Sequence, residues 1–301
     1  MVDSIFFDNL LRNRKLILVT GKGGIGKTLI AASLAKRATA LGLRVLLVEQ
    51  SSVGQLGPLL GTEGVTHEER WNGNLGIANF TAAGNFKDFI TKHLMKSGLL
   101  EILISNKLVN SFFTAIPGFG ELMLLGRLYY AINLAPKKPD IIIVDAYASG
   151  HFLSLMTTPD AILKSGLAGP ISHLTQKVKD WLSDEEQCAT LYISTPEELV
   201  VSEALDFLPV LVNKSPVHMA ALIMNRSMIH SSNKSEEAGS IAGKFILDRR
   251  RRQENALKIL ERGVLGNQAL KLKPIIRLPE LGAVEEPLDQ ATAERLLRGE
   301  H

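Results

Sequence analysis

Residues 21–28 read GKGGIGKT and stand between two apolar segments. Residues 16–19 before them, LILV, are long enough for one buried strand, and residues 29–35 after them favour a helix. The stretch fits the pattern G-x-x-x-x-G-K-[ST], in which backbone N–H groups of a glycine loop surround phosphate oxygens. The N-terminus of the following helix adds a favourable dipole. The sequence therefore predicts a phosphate-binding loop, and a glycine turn without nucleotide is the alternative.

The polar side chains of this loop have separate predicted functions. Lys27 is expected to reach the β- and γ-phosphates of a nucleotide, and the Thr28 hydroxyl is expected to coordinate Mg²⁺. Lys22 is an additional lysine directly after the first glycine, and one interpretation is a solvated loop residue. The pattern K-G-G-x-G-K-T also resembles the deviant Walker A sequence of dimerising P-loop ATPases. That resemblance implies the second interpretation, in which Lys22 contacts the nucleotide of a partner subunit.

A second motif follows in residues 141–145, which read IIIVD. Four apolar residues ending in a carboxylate have the form of a Walker B strand, in which Asp145 would hold Mg²⁺ through a water molecule. A strand-terminal cap is the simpler interpretation of Asp145. The phosphate-binding loop upstream favours the metal function.

The composition sets limits on the class of protein. At 301 residues, with 46% apolar and 22% charged residues, the chain is ordinary for a soluble globular protein. A net charge of +3 is too small to demand a nucleic-acid partner. Cys188 is the single cysteine, which excludes a disulfide framework and a zinc site made of cysteines from one chain. Without a signal-peptide core or an apolar run of membrane-spanning length, the protein is predicted to be cytoplasmic.

Apolar strand-like and helix-like segments alternate along the chain. Strands are expected over 44–49, 75–80, 190–194, 219–224 and 273–278, and helices over 161–167, 171–182, 196–211 and 235–262. This alternation predicts an α/β fold with a doubly wound, mostly parallel sheet of P-loop NTPase type, forming a single domain over 1–301. Residues 84–135 are predicted to form a helical insertion within it. The apolar surplus of the insertion is either ordinary core or a surface for a hydrophobic protein client.

Arginine occupies each position of residues 249–252. Four consecutive residues cover every side of a helical turn, so at least one of them is expected to point inward or toward a neighbour. A solvated charged face is the preferred interpretation. Binding of nucleic acid or anionic lipid is the alternative, and the absence of interleaved aromatic residues disfavours it.

Further segments resemble the arsenite-pump ATPases and the tail-anchored-protein targeting ATPase of eukaryotes. In family order they are IPGFGE at 116–121, DAYASGH at 145–151, TPEE at 195–198, MNR at 224–226 and LPEL at 278–281. The resemblance covers nearly the whole chain. It implies adenine contact by Asn225, next to Arg226, and an adenine-covering loop at Pro279.

The chain departs from this family in the loop after the second strand. Gln50, Ser51 and Ser52 occupy the positions where the family usually has an aspartate that orients the attacking water, and Glu49 is the nearest carboxylate. Hydrolysis would then rest on positioning and charge neutralisation, which predicts slow turnover. The zinc-bridging and metalloid-binding cysteines of the family are also missing, so a metalloid-stimulated pump is disfavoured.

The sequence thus predicts a dimeric ATPase that uses ATP and Mg²⁺ and couples nucleotide state to a helical client-binding region. The alternative is a nucleotide-gated binding subunit with little hydrolysis, paired with a related active subunit. A partition-type ATPase acting on DNA is a third interpretation. The dimer would be a homodimer or a heterodimer, and membranes would be involved only indirectly. The catalytic candidates are Lys22, Lys27 and Asp145, and the metal candidates are Thr28 and Asp145. The nucleotide-binding candidates are Gly23, Gly24, Ile25, Gly26, Lys27, Thr28, Leu29, Asn225, Arg226 and Pro279.

Overall fold

A computed structural model describes residues 2–50, 54–62, 65–66, 69–81, 117–166, 168–228, 241–281 and 287–300. The strands are β1 (Leu16–Gly21), β2 (Val45–Glu49), β3 (Arg70–Asn72), β4 (Leu75–Asn79), β5 (Ile141–Ala148), β6 (Cys188–Ser194), β7 (Met219–Ser227) and β8 (Ile275–Pro279). The helices are α1 (Val2–Asn13), α2 (Lys27–Ala40), α3 (Leu56–Leu60), α4 (Phe119–Asn133), α5 (Ser149–Lys164), α6 (Pro170–Leu182), α7 (Glu198–Lys214), α8 (Ile241–Gly266) and α9 (Gln290–Arg298).

The strands of these ranges form one sheet in the order β3-β4-β2-β5-β1-β6-β7-β8. All neighbouring strands pair in parallel except β3, which runs antiparallel to β4 at the edge. Helices cover both faces, because a parallel sheet needs helical crossovers and buries both of its sides. The predicted α/β fold with a doubly wound, mostly parallel sheet is therefore confirmed.

Successive side chains of the central strand β1 point to opposite faces of the sheet and pack into two separate cores. Leu16 and Leu18 face a core formed with α4, α5, α6, α7 and α8. Ile17 and Val19 face a second core formed mainly with α1, α2 and α9. Every residue of β1 is buried, which explains why the strand reads as a continuous apolar run rather than an alternating one.

The described end of the predicted helical insertion packs on this sheet. Residues 84–116 of the insertion lie outside the described residues. Helix α4 follows Gly118 and buries Leu122, Leu125 and Leu128. Leu125 and Leu128 belong to the core shared with β1 and β5. The insertion as a client-binding unit stays a prediction.

Several boundaries differ from those that the sequence suggested. Helix α5 begins at Ser149 rather than near 161, so it contains the end of the DAYASGH segment. Helix α7 begins at Glu198, and Pro196 precedes it instead of occupying its first turn. The amide of Glu197 donates to the carbonyl of Thr195 at 2.8 Å, which makes a local turn where a helix was expected. Among the described helices, none combines the length and the apolar character needed to cross a bilayer.

Candidate functional site

The loop after β1 adopts a backbone that only glycine accommodates easily. Gly21, Gly24 and Gly26 have φ values of +146°, +78° and +93°. A Cβ on Gly21 would lie 2.2 Å from the carbonyl oxygen of Ile193 on β6, and a Cβ on Gly26 would lie 2.5 Å from Nδ2 of Asn225. The loop is therefore pressed against two neighbouring strands of the sheet.

The apolar side chains at the end of the loop and the start of α2 pack into the core. Ile25 is 5% exposed and belongs to the core beneath α2, and Leu29 packs against the same core. Gly23 has open space around it, because a Cβ added there would have no atom within 4 Å. If this loop holds phosphate, Ile25 and Leu29 contribute backbone N–H groups and not side chains.

Lys27 is held inside the loop. Its Nζ donates a hydrogen bond to the carbonyl oxygen of Lys22 at 3.0 Å. Burial lowers the pKa of Lys27, and the charge of Asp145 opposes this effect. A partly buried ammonium with one backbone acceptor has donor capacity left for a further anion, since a lysine carries three N–H groups.

Asp145, in the C-terminal half of β5, meets the first turn of α2. The Thr28 hydroxyl donates a hydrogen bond of 2.6 Å to Oδ2 of Asp145 and lies 3.3 Å from Oε1 of Gln55. Burial raises the pKa of Asp145 to about 6, against the opposing effects of the Thr28 hydrogen bond and the Lys27 charge. Oδ1 of Asp145 is buried and has no hydrogen-bond partner among the described residues.

Glu49 is a site residue for which the sequence predicts no function of its own. It ends β2 and is the register partner of Asp145 on β5. Val45 and Leu47 face the core beneath α2. Because every second side chain of a strand points to the same face, Glu49 also faces α2, the helix that carries Thr28. Glu49 is fully buried, and its Oε1 accepts a hydrogen bond of 2.5 Å from the backbone N–H of Gln55. Burial raises the pKa of Glu49, and its Oε2 has no partner in the described ranges.

These oxygens suit Mg²⁺. Among the described residues, two buried carboxylate oxygens lack partners, and leaving each one unpaired is costly unless a proton or a cation compensates its charge. With the Thr28 hydroxyl and Oε1 of Gln55, they form a set of hard oxygen donors, the kind that Mg²⁺ prefers. The described residues contain no group of three or more His, Cys, Asp and Glu with metal-ligand spacing. A site with two carboxylates fits an ion that keeps several waters or phosphate oxygens.

The loop after β2 begins with a buried amide. Gln50 is 3% exposed. Its backbone N–H donates to the Asp145 carbonyl at 3.0 Å, and its side-chain Oε1 accepts from the Tyr147 backbone N–H at 3.4 Å. Ser51 and Ser52 lie outside the described residues. The carboxylate next to this loop in the sequence is Glu49, which ends β2 and lies opposite Asp145 on the neighbouring strand β5.

Lys22 makes an ion pair within its own chain. Its Nζ lies 2.7 Å from Oε2 of Glu203 on α7, with the two side chains 44% and 59% exposed. An exposed pair of this kind contributes little to stability and is easily exchanged for another partner. The contact of Lys22 with a partner's nucleotide stays a prediction.

The residues expected near adenine lie beside the loop. Asn225 is buried, and its Nδ2 donates to the Ile25 carbonyl at 2.8 Å, so this amide supports the phosphate loop. Arg226 has a φ of +58°, the only positive φ among the non-glycine residues that the structure describes. Gln253 on α8 fixes this bend by donating to the Arg226 carbonyl at 3.1 Å and accepting from the Met228 amide at 2.9 Å. Sequence reasoning missed Gln253, which no local motif marks.

Pro279, the other residue expected at adenine, ends β8 beside this bend. Its register partner is Ser227 on β7, and the following residue, Glu280, donates its amide to the Ser227 carbonyl at 3.2 Å. The structure thus places Pro279 and Arg226 at the ends of adjacent strands. Their contact with a base stays a prediction.

Two sequence features lie away from this site. In the arginine run, Arg249 pairs with Glu280 at 2.7 Å, Arg252 pairs with Asp248, and Arg250 is buried. This arrangement agrees with the expectation that one arginine points inward. Cys188 is buried, its Sγ donates to the Trp181 carbonyl at 3.2 Å, and burial raises the pKa of the thiol well above its usual range.

Comparison with known proteins defines the class. The sheet order, the glycine loop and the position of Asp145 fit a P-loop NTPase fold. The sequence model of the anion-transporting ATPases matches residues 14–175, which is more than half of the chain. The chain belongs to the anion-transporting ATPase family, which confirms the resemblance to the arsenite-pump and tail-anchored targeting ATPases.

The individual relatives are distant. The ATPase BagA of Mycobacterium tuberculosis is 26% identical over 242 residues, covering 75% of this chain and 68% of the relative. The arsenical pump-driving ATPase of Escherichia coli is 24% identical over 237 residues, 77% of this chain and 38% of that protein. The ATPase ASNA1 homolog 1 of Paramecium tetraurelia is 26% identical over 161 residues, 53% of this chain and 48% of that protein.

Proposed function

We propose that this chain is a Mg²⁺-dependent ATPase that hydrolyses ATP to ADP and phosphate slowly and closes as a dimer on its nucleotide. The observation that carries the proposal is the 2.6 Å hydrogen bond from Thr28 to Asp145, beside two buried carboxylate oxygens without partners among the described residues. It joins the phosphate loop to the Walker B strand at one point. Membership of an ATPase family supports the same conclusion.

In this proposal, backbone N–H groups of 23–29 surround the phosphates and Lys27 neutralises their charge. Thr28 and Asp145 hold the metal, with Glu49 as a second carboxylate facing the same side of the sheet. The bound Mg²⁺ supplies charge neutralisation for the transferred phosphoryl group. Asn225 keeps the loop in shape through its bond to the Ile25 carbonyl. The adenine would lie near Arg226 and Pro279.

Slow turnover follows from the residues after β2. Gln50, Ser51 and Ser52 occupy the positions where the family usually has an aspartate, and Oε1 of Gln50 already accepts a hydrogen bond from the Tyr147 backbone N–H. An amide orients water but cannot accept its proton, so the reaction would depend on positioning and charge stabilisation. Lys22 would add charge stabilisation from the partner subunit. A cytoplasmic location and a hydrophobic client on residues 84–135 remain parts of the proposal.

Nucleotide titration tests this function. Wild type should bind ATP in the presence of Mg²⁺, and Lys27→Ala should bind it at least about tenfold more weakly because a charge-assisted contact is lost. Lys137→Ala removes an exposed lysine outside the site and serves as the control. Equal binding by wild type and Lys27→Ala would overturn the phosphate-loop assignment.

The second candidate function is a nucleotide-gated binding subunit with little hydrolysis, and the amide at Gln50 favours it. A phosphate-release assay separates the two. Turnover that is lost in Lys22→Ala supports the ATPase with a lysine acting between subunits. Tight ATP binding without phosphate release, in both wild type and Lys22→Ala, supports the gated subunit.

A further inference from the structure

A cavity lies at the β3 edge of the sheet, between α2, α3 and the β3-β4 pair. Its volume is about 260 Å³. Leu60, Val65, Leu75 and Ile77 supply apolar lining, and Lys36 and Arg70 supply positive charge. The phosphate loop contributes none of its lining residues.

The pairing of β3 with β4 explains why the cavity has both apolar and polar lining residues. Arg70 is the register partner of Ile77, and Asn72 is the register partner of Leu75. Residues directly opposite each other in an antiparallel pair point to the same face. Leu75 and Ile77 contact the core beneath α2, so these two pairs face α2. Each pair sets one apolar residue beside one polar residue.

Within the described part of the chain, the two cations of the cavity lack direct partners. In the ranges that the structure covers, the side chains of Lys36 and Arg70 form no ion pair and no hydrogen bond. Glu69, next to Arg70, accepts a hydrogen bond from Nε1 of Trp71 at 3.2 Å. The charge of Lys36 helps to lower the pKa of Asp289, after the larger effect of the Thr292 backbone N–H. Oδ1 of Asp289 caps α9 by accepting a hydrogen bond of 2.6 Å from that backbone N–H. Among the described residues, no ion pair neutralises this positive charge, which lies beside the apolar lining.

We propose that this cavity binds a small carboxylate with an apolar body, with the carboxylate between Lys36 and Arg70 and the body on Leu60, Val65, Leu75 and Ile77. Charge complementarity selects an anion, and the apolar lining favours an anion that has an apolar body to bury there. The volume lies just below the range of about 300–1,000 Å³ that is usual for ligand cavities, so the ligand is small.

This site is distinct from the nucleotide site and does not depend on the proposed ATPase function. Helix α2 carries Thr28 in its first turn and Lys36 eight residues later, which places the two about 12 Å apart along the helix axis. Helix α3 begins after Gln55, which contacts Thr28, and ends at the cavity residue Leu60. The two sites therefore share two helices.

Calorimetric titration of the full chain with octanoate tests the proposal. Binding should be saturable at one site per chain. Octanoate should bind more tightly than hexanoate by about fourfold per methylene group, because each buried methylene adds to the affinity. Octan-1-ol and octylammonium have the same apolar body without the anion and should bind at least about tenfold more weakly.

Variants locate the binding site. Arg70→Gln and Lys36→Gln should each weaken octanoate binding at least about tenfold. Arg251→Gln and Lys137→Gln, which remove exposed charges elsewhere, should leave it unchanged. The absence of saturable binding up to about 10 mM octanoate would overturn the proposal, since ordinary ligands bind more tightly than that. Equal weakening of octanoate binding by the control variants would also overturn it. Displacement of octanoate by ATP would overturn it as well, because octanoate would then occupy the phosphate loop.

Discussion

The Thr28 hydroxyl donates a 2.6 Å hydrogen bond to Oδ2 of Asp145, although the two residues are 117 positions apart in the chain. The contact forms because β1 and β5 are neighbouring parallel strands, so the loop that follows β1 meets the carboxyl end of β5. Ligands of open α/β sheets bind at such strand ends. Asp145 therefore lies against α2, and its protonation should affect the stability of the protein.

Ionisation of Asp145 should destabilise the protein without ligand. Its pKa is raised by burial to about 6, above the unfolded value of about 3.9. The folded state therefore binds this proton more tightly, and stability is lost as pH rises from about 4 to about 6. Asp145→Asn should thus be more stable than wild type by roughly 2 to 3 kcal/mol at pH 7, with a much smaller difference at pH 4.

Urea unfolding at both pH values measures this difference. Asp206→Asn, an exposed substitution on α7, is the control and should match wild type within about 0.5 kcal/mol at each pH. A stability difference between Asp145→Asn and wild type that is the same at pH 4 and pH 7 would show that the carboxyl is not the group that titrates.

Glu49→Gln should weaken the binding of a divalent cation together with ATP. The substitution keeps the shape of the side chain and an acceptor for the Gln55 amide, but it removes one of two buried negative charges. We expect about a tenfold loss of Mn²⁺ affinity, read from the electron paramagnetic resonance signal of free Mn²⁺. The same variant should stabilise the protein without ligand, since a buried charge is removed.

The control for this experiment is Glu254→Gln, which neutralises an exposed glutamate on α8. If Glu49→Gln stabilised the protein while Mn²⁺ affinity remained that of wild type, Glu49 would only hold the start of α3. That result would leave Asp145 as the single carboxylate of the metal site.

The parts of this fold that the sequence predicts well are those set by local patterns. Continuous apolar runs mark β1 and β5 because both strands are buried on two faces. The glycine loop and Asp145 could be placed at one edge of the sheet, since parallel strands end together. Their contact in the structure follows from that rule, while their functions in nucleotide binding stay predictions.

The parts that the sequence did not reveal depend on contacts between distant residues. Helices α1 and α9 were not predicted, and they are held by Arg37 of α2, which pairs with Asp8 at 2.6 Å and with Glu294 at 3.6 Å. Gln253 supports the bend at Arg226 from 27 residues away. No pattern within one segment encodes such pairs, because each partner looks like an ordinary surface residue by itself.

Glu203→Gln should favour nucleotide-dependent self-association. In the single chain, Glu203 pairs with Lys22 at 2.7 Å, and a lysine that reaches a partner subunit must leave this pair first. The pair is exposed, so its loss should change stability by less than about 0.5 kcal/mol. Light scattering with ATP and Mg²⁺ should show dimers at a protein concentration about threefold lower than for wild type. Asp206→Asn on the same helix is the control, and weaker association of Glu203→Gln would contradict the release of Lys22.

Gly21→Ala and Gly23→Ala should separate the folding function of the loop glycines from their binding function. A Cβ at Gly21 would meet the Ile193 carbonyl at 2.2 Å, and β6 cannot retreat without breaking its pairing with β1. We expect a loss of about 3 kcal/mol or more in urea unfolding. A Cβ at Gly23 would have no atom within 4 Å, so Gly23→Ala should change stability by less than about 1 kcal/mol. In the proposed function, the phosphates lie against the open side of this loop, so the added methyl group should lower ATP affinity. Equal stability of the two variants would mean that the close approach of β6 to the loop does not constrain the fold.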